Sequence, residues 1–117
     1  MFLRLSHTRL DVFAVSKELT LCCYKITAVF PTHERFALSQ QIRRAVVSIH
    51  LNIAEGASRQ SVNERKRYFE IARGSVVEVD AAIDIATELG YTRDEDTREI
   101  GNRINRCFQM LSKLIDK

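Results

Sequence analysis

Arg44, Ser48, Asn52 and Glu55 recur at spacings of 4, 4 and 3. On a helix these spacings put a guanidinium, a hydroxyl, an amide and a carboxylate on one face. Two readings suit that set. In a hydrolytic site Glu55 would serve as a general base beside Asn52. In a structural network the same groups would satisfy one another, because a polar group costs several kcal/mol to bury without a hydrogen bond. The network is the commoner origin of such a stripe. It predicts an Arg44–Glu78 ion pair, with Asn52 and Glu55 bonded to the following helix or to the turn before it.

Other chemistries lack their residues. A di-iron bundle needs inward Glu plus Glu-x-x-His pairs, and no Glu-x-x-His occurs. His7, His33 and His50 are scattered, so no metal is expected. The three cysteines include the adjacent pair Cys22 and Cys23, which fits neither a zinc pattern nor a disulfide framework. Cys22 and Cys107 fall on apolar stripes, where thiols are usually inert. No glycine-rich phosphate loop exists, and no cofactor is expected. Gly74 lies mid-helix beside Ala72 and Ser75, where a missing side chain lets another helix approach.

Charge is the second source of chemistry. The chain carries 18 Lys+Arg and 15 Asp+Glu, but the signs are segregated. Residues 35–73 hold 8 basic and 3 acidic groups, and residues 74–99 hold 2 and 8. Within the basic block Arg59, Arg65, Lys66 and Arg67 cluster, and Arg43 and Arg73 extend the cluster if they face outward. Such a patch binds phosphates electrostatically; its alternatives are a solvated face or a protein contact. In the acidic block Asp80, Asp84 and Glu88 repeat every four residues, a spacing that repels by roughly 0.2–0.5 kcal/mol per pair. Their partners would be Arg103 and Arg106, or another subunit. A basic end and an acidic face on one molecule permit head-to-tail association, which closes into a ring when the rotation suits.

Four amphipathic helices must position these groups. Val12, Val15, Leu19, Cys22, Ile26 and Val29 advance by threes and fours. So do Leu38, Ile42, Ala45, Ile49, Asn52 and Gly56, then Phe69, Ala72, Val76, Val79, Ile83 and Ala86, and finally Ile100, Ile104, Cys107, Leu111 and Leu114. That rhythm lines one side of a helix and cannot line one face of a strand. Pro31 ends the first helix, and Thr32 can cap the second unless Ser39 restarts it after a bent turn. Ser61-Val62-Asn63-Glu64 and Thr92-Arg93-Asp94-Glu95 read as capping boxes. Gly90 stops the third helix. The helices are therefore expected near 10–29, 33–58, 62–89 and 93–115, in one domain spanning 1–117. Short loops make them an all-α, antiparallel up-down-up-down four-helix bundle.

Composition agrees. Of 117 residues, 45% are apolar and 28% charged, enough for a core and too apolar for disorder. One proline and four glycines argue against a turn-dense sandwich or barrel. No run of 18 apolar residues occurs, so no membrane partner is expected. The first residues lack the apolar core of a signal peptide, and the unpaired cysteines suit a cytoplasmic location.

Phe30-Pro31-x-x-Glu34, Leu38-x-x-Gln41-x-Arg43-Arg44-Ala45 and Ser48-Ile49-x-x-Asn52-Ile53-Ala54-Glu55-Gly56 resemble the bacterial four-helix-bundle family that includes proteins encoded by intervening sequences within 23S ribosomal RNA genes. Leu10-Asp11-Val12-Phe13, Gly74-Ser75 with Glu78, and Glu88-Leu89-Gly90-Tyr91 match too, so the similarity spans roughly residues 10–115. Many relatives have proline where this chain has His50 and tryptophan where it has Phe13. The resemblance implies a ring-shaped homopentamer. It also implies a distant likeness to the accessory proteins of diversity-generating retroelements, which bind a reverse transcriptase and nucleic acid. No catalytic residues come with it, and on these terms Arg43, Arg44, Asn52 and Glu55 are architectural. The expectation is a non-enzymatic oligomer that binds RNA or DNA through Arg43, Arg59, Arg65, Lys66, Arg67 and Arg73. The alternative is a scaffold or adaptor for another protein.

Overall fold

The computed structural model describes residues 1–116. Among them are four α-helices and no strand: α1 (Asp11–Thr27), α2 (Leu38–Ser58), α3 (Val62–Glu88) and α4 (Asp94–Ile115). Short 3-10 turns occupy Ser6–Arg9 and Thr32–Glu34. Each helix borders two others, α1 touching α2 and α4, and α3 likewise touching α2 and α4. The diagonal pairs do not meet, so the helices form the corners of a bundle measuring 43 × 29 × 22 Å.

The apolar rhythm accounts for the core. Leu19, Ile42, Val46, Ile49, Ile53, Val79 and Leu111 are fully buried, each stabilising by about 1.5–3 kcal/mol relative to exposure. In α1 Val12, Val15, Leu19 and Ile26 are buried at the expected phase, and two positions of the stripe differ. Cys23 is buried while Cys22 is only half-buried, and Val29 stands in solvent. The helix ends at Thr27, and a turn carries Phe30, not Val29, into the core.

The helix ends explain most boundary differences. Ser61 Oγ accepts from Glu64 N–H at 3.3 Å, one half of the first capping box; the Glu64 carboxylate lies 4.0 Å from Arg59 and makes no return bond to Ser61 N–H. Gly90, at φ 79°, sends its N–H to Thr87 O, and Tyr91 N–H reaches Ala86 O; this Schellman pattern ends α3. The second capping box does not form. Arg93 occupies the N-cap without a side-chain capping bond, and the Thr92 hydroxyl instead meets Thr87 and Thr97. Thr32 caps nothing either: residues 32–34 form a separate 3-10 turn, and α2 starts at Leu38, close to the Ser39 restart.

Side chains tie the seams. Along α1–α2, Ser16 meets His50, Thr20 meets Val46 O, and Thr27 meets Arg43. Along α2–α3, Ser48 meets Ser75, and Gly56 packs against Phe69. Arg73 reaches Ser112 on α4, and Glu18 on α1 reaches Arg103. At Gly74, by contrast, an added Cβ would meet nothing within 4 Å, so no helix of the same chain approaches there.

Candidate nucleic-acid interface

The turn between α2 and α3 gathers Arg59, Arg65, Lys66 and Arg67, but they differ in availability. Arg59 is engaged by the chain itself. Its guanidinium lies 3.4 Å from Glu55 and 4.0 Å from Glu64, donates to the Tyr68 hydroxyl at 3.1 Å, and sits over the Tyr68 ring. Its Nε is buried without a hydrogen-bond partner. Among the described residues, Arg65, Lys66 and Arg67 have no carboxylate within 4.0 Å. Arg67 is exposed and the other two half-buried.

Arg43 and Arg73 also have no carboxylate within 4.0 Å among the described residues, but each is hydrogen-bonded to a hydroxyl of another helix. Arg43 Nε donates to Thr27 Oγ1 at 2.9 Å, with its guanidinium 5.3 Å from the Tyr24 ring centroid. Arg73 donates to Ser112 Oγ at 3.1 Å and lies over Phe108. Both bridge helices. Long side chains flanking a seam find the nearest acceptor, and the acceptors here are hydroxyls of neighbouring helices.

The polar stripe on α2 is partly the expected network. Asn52 Nδ2 donates to Ser48 O at 2.8 Å and to Ser48 Oγ at 3.1 Å, and Ser48 Oγ lies 3.0 Å from Ser75 Oγ on α3. Asn52 thus reaches α3 through Ser48. Glu55 reaches it through Arg59, which contacts Tyr68. The Arg44–Glu78 pair is absent. Both side chains are exposed, where an ion pair gains about 0–1 kcal/mol and must fix two long chains. Glu55 is half exposed and lines none of the surface clefts described here.

Arg103 does not serve the acidic stripe of α3. It bridges Glu18 at 3.3 Å and Glu99 at 3.2 Å. Among the described residues, Glu78, Asp80, Asp84 and Glu88 have no cation within 4.0 Å. Exposed Val77 and Ile85 stand beside them.

A second basic surface was not foreseen. A groove of about 570 Å³ between α1 and α2 is lined by Tyr24, Arg35, Phe36, Arg43, Arg44 and Leu51, among others. Phe36 is 80% exposed with Arg35 over its ring. The sequence signal was Arg35-Phe36 in a loop and Tyr24 off the apolar stripe. Neither carries a motif.

The Phe13 ring stacks on His50 at 4.1 Å, and His7 abuts Phe13 edge-on. Burial, then Lys17 and His7, hold the His50 pKa below its usual value. Burial pushes the Cys23 and Cys107 thiols up to about 12, and that of Cys22 upward too. Among the described residues no group of His, Cys, Asp and Glu is placed to hold a metal ion, and no helix is long and apolar enough to cross a membrane.

The fold has a solved counterpart. A crystal structure of a protein with unknown function, from the S23 ribosomal protein family of Bacteroides thetaiotaomicron VPI-5482, superposes with a TM-score of 0.83. It is 22% identical and covers 91% of this chain and 96% of its own. Comparison with the curated proteins finds no match. The family model for 23S rRNA-intervening sequence proteins matches residues 8–113. The chain belongs to the 23S rRNA-intervening sequence protein family.

Proposed function

We propose that this protein is a non-enzymatic, cytoplasmic bundle that binds RNA or DNA through the α2–α3 turn. The observation that carries the reading is the run of Arg65, Lys66 and Arg67 in the opening turns of α3, with no carboxylate within 4.0 Å among the described residues. Three adjacent cations repel one another and are stabilised by an incoming phosphate. A gel shift with the Arg65→Ala/Lys66→Ala/Arg67→Ala variant tests it. Loss of the shifted band at low salt supports the reading; a band as strong as that of the wild type overturns it.

The same proposal makes the helices run alternately up and down, and makes the working unit a ring-shaped homopentamer. The topology is supported by residue pairs whose numbers rise on one helix as they fall on the next: Ser16–His50 and Thr27–Arg43, then Ser48–Ser75 and Arg59–Tyr68. Self-association is supported by two unlike surfaces. The α1–α2 groove offers Arg35, Arg44 and exposed Phe36 and Leu51. The outer side of α3 offers exposed Ile71, Val77 and Ile85, open space at Gly74, and unpaired Glu78, Asp84 and Glu88. Surfaces that match each other and not themselves join head to tail; five is the number that the family resemblance implies. Light scattering on wild type and Arg44→Glu tests this: a fall from ring to monomer mass supports it, and an unchanged ring counts against this face.

A scaffold for another protein is the second reading. The exposed Phe36 favours it, because an exposed aromatic ring is a common anchor at protein contacts. It predicts a stable oligomer indifferent to nucleic acid.

A further inference from the structure

The α2–α3 turn is not the only cationic surface at its end of the bundle. Beside it lies a cleft of about 340 Å³ lined by Leu10, Val62, Arg65, Lys66, Phe69 and Leu114. A second cleft, of about 360 Å³, shares Leu10 and Leu114 and adds Arg9, Asp11, Met110 and Lys113. The shared residues make the two clefts adjoin. Arg65 and Lys66 therefore continue into Arg9, at the end of the Ser6–Arg9 turn, and Lys113, in the last turn of α4.

The charges along this path are unbalanced. Arg9, Arg65, Lys66 and Lys113 have no carboxylate within 4.0 Å among the described residues. Asp11 is the single acid lining either cleft, and it occupies the first turn of α1, where the helix dipole favours a carboxylate. The remaining lining residues are apolar, with no Asn, Gln, Ser or Thr among them. A surface of that composition, cationic with apolar residues between the charges, can hold a run of phosphates.

We infer that Arg9 and Lys113 extend the nucleic-acid contact, so that a phosphodiester backbone crosses the bundle end from the α2–α3 turn to the junction of the Ser6–Arg9 turn with α4. The inference rests on the nucleic-acid reading above and adds two residues from opposite ends of the chain. Contact along the path is to the backbone.

The test is the salt dependence of binding. Each neutralised phosphate contributes about 0.9 to the slope of log Kobs against log salt for duplex DNA, and about 0.7 for single strands. Labelled duplex and single-stranded oligonucleotides are titrated with wild type, Arg9→Ala/Lys113→Ala, and Arg65→Ala/Lys66→Ala. The first variant is expected to flatten the slope by about 1.8 on duplex DNA or about 1.4 on single strands, whichever the protein binds. Arg9→Lys/Lys113→Arg keeps the charges and is expected to keep the wild-type slope. If wild type binds, Arg65→Ala/Lys66→Ala flattens the slope and Arg9→Ala/Lys113→Ala leaves it unchanged, the extended path is wrong and the turn reading stands. If wild type binds neither ligand, both are wrong.

Discussion

Gly56 on α2 faces Phe69 on α3 so closely that a Cβ at position 56 would lie 2.9 Å from Phe69 Cε1 and 3.0 Å from Tyr68 Cβ. The Phe69 ring is buried and cannot swing aside into solvent. The absent side chain thus sets how near the two helices come, just before the turn that carries Arg65 and Lys66.

Gly56→Ala is therefore expected to destabilise. Alanine favours a helix over glycine by roughly 0.5–1 kcal/mol, but overpacking a fitted contact costs about 1–3 kcal/mol. Urea unfolding should show a lower midpoint for Gly56→Ala, whereas Gly74→Ala, with open space around it, should match or exceed wild type in the monomer. A midpoint for Gly56→Ala at or above that of wild type would refute the close approach.

Most of the fold was legible in the sequence because period is a property of spacing. Three of the four stripes, from Ile42 through Leu111, lie in the core with the phase that the spacing predicts. In α1 Val12, Val15, Leu19 and Ile26 keep the predicted phase, but Cys22 does not, because Cys22 and Cys23 are chemically equivalent neighbours and only packing chooses between them. The turn at Gly90 was legible because a positive φ favours glycine. The site was less so. Arg43, Arg59 and Arg73 are counted alike in a charge tally, yet their partners Thr27, Tyr68 and Ser112 come from distant positions or across a turn. Only the folded chain separates those arginines from Arg65, Lys66 and Arg67. The failed Thr92 cap has a similar cause: its hydroxyl found Thr87 on the preceding helix.

The stack of Phe13 on His50 predicts a pH dependence. Ser16 Oγ lies 2.7 Å from His50 Nδ1 and 2.9 Å from Phe13 O, so the His50 ring is held between the Phe13 side chain and the Ser16 hydroxyl. Its folded pKa is lowered by burial, so the unfolded chain takes up a proton first as pH falls. The stabilisation is fully present above the ordinary value of 6.5 and is lost as pH falls through the folded pKa. Chemical denaturation at pH 7.5 and 5 should show a larger loss for wild type than for His50→Gln. Equal losses would contradict a His50 pKa lowered by burial.

Thiol reactivity should follow burial. With Cys23 and Cys107 held at about 12, little thiolate forms at pH 8, and the thiolate is the reactive species. Titration with a thiol reagent should label Cys22, half-buried with its Sγ 3.8 Å from Glu99 Oε1, before the other two. Denaturant should then expose all three. Immediate reaction of all three thiols in the native protein would contradict the described core.

The most direct measurement of the central claim is a fluorescence anisotropy titration of wild-type protein into labelled RNA and DNA at 50 and 200 mM salt. The account predicts binding at the lower salt that weakens by at least about tenfold at the higher, as release of several counterions requires. No binding at the lower salt, or an affinity indifferent to salt, would contradict it.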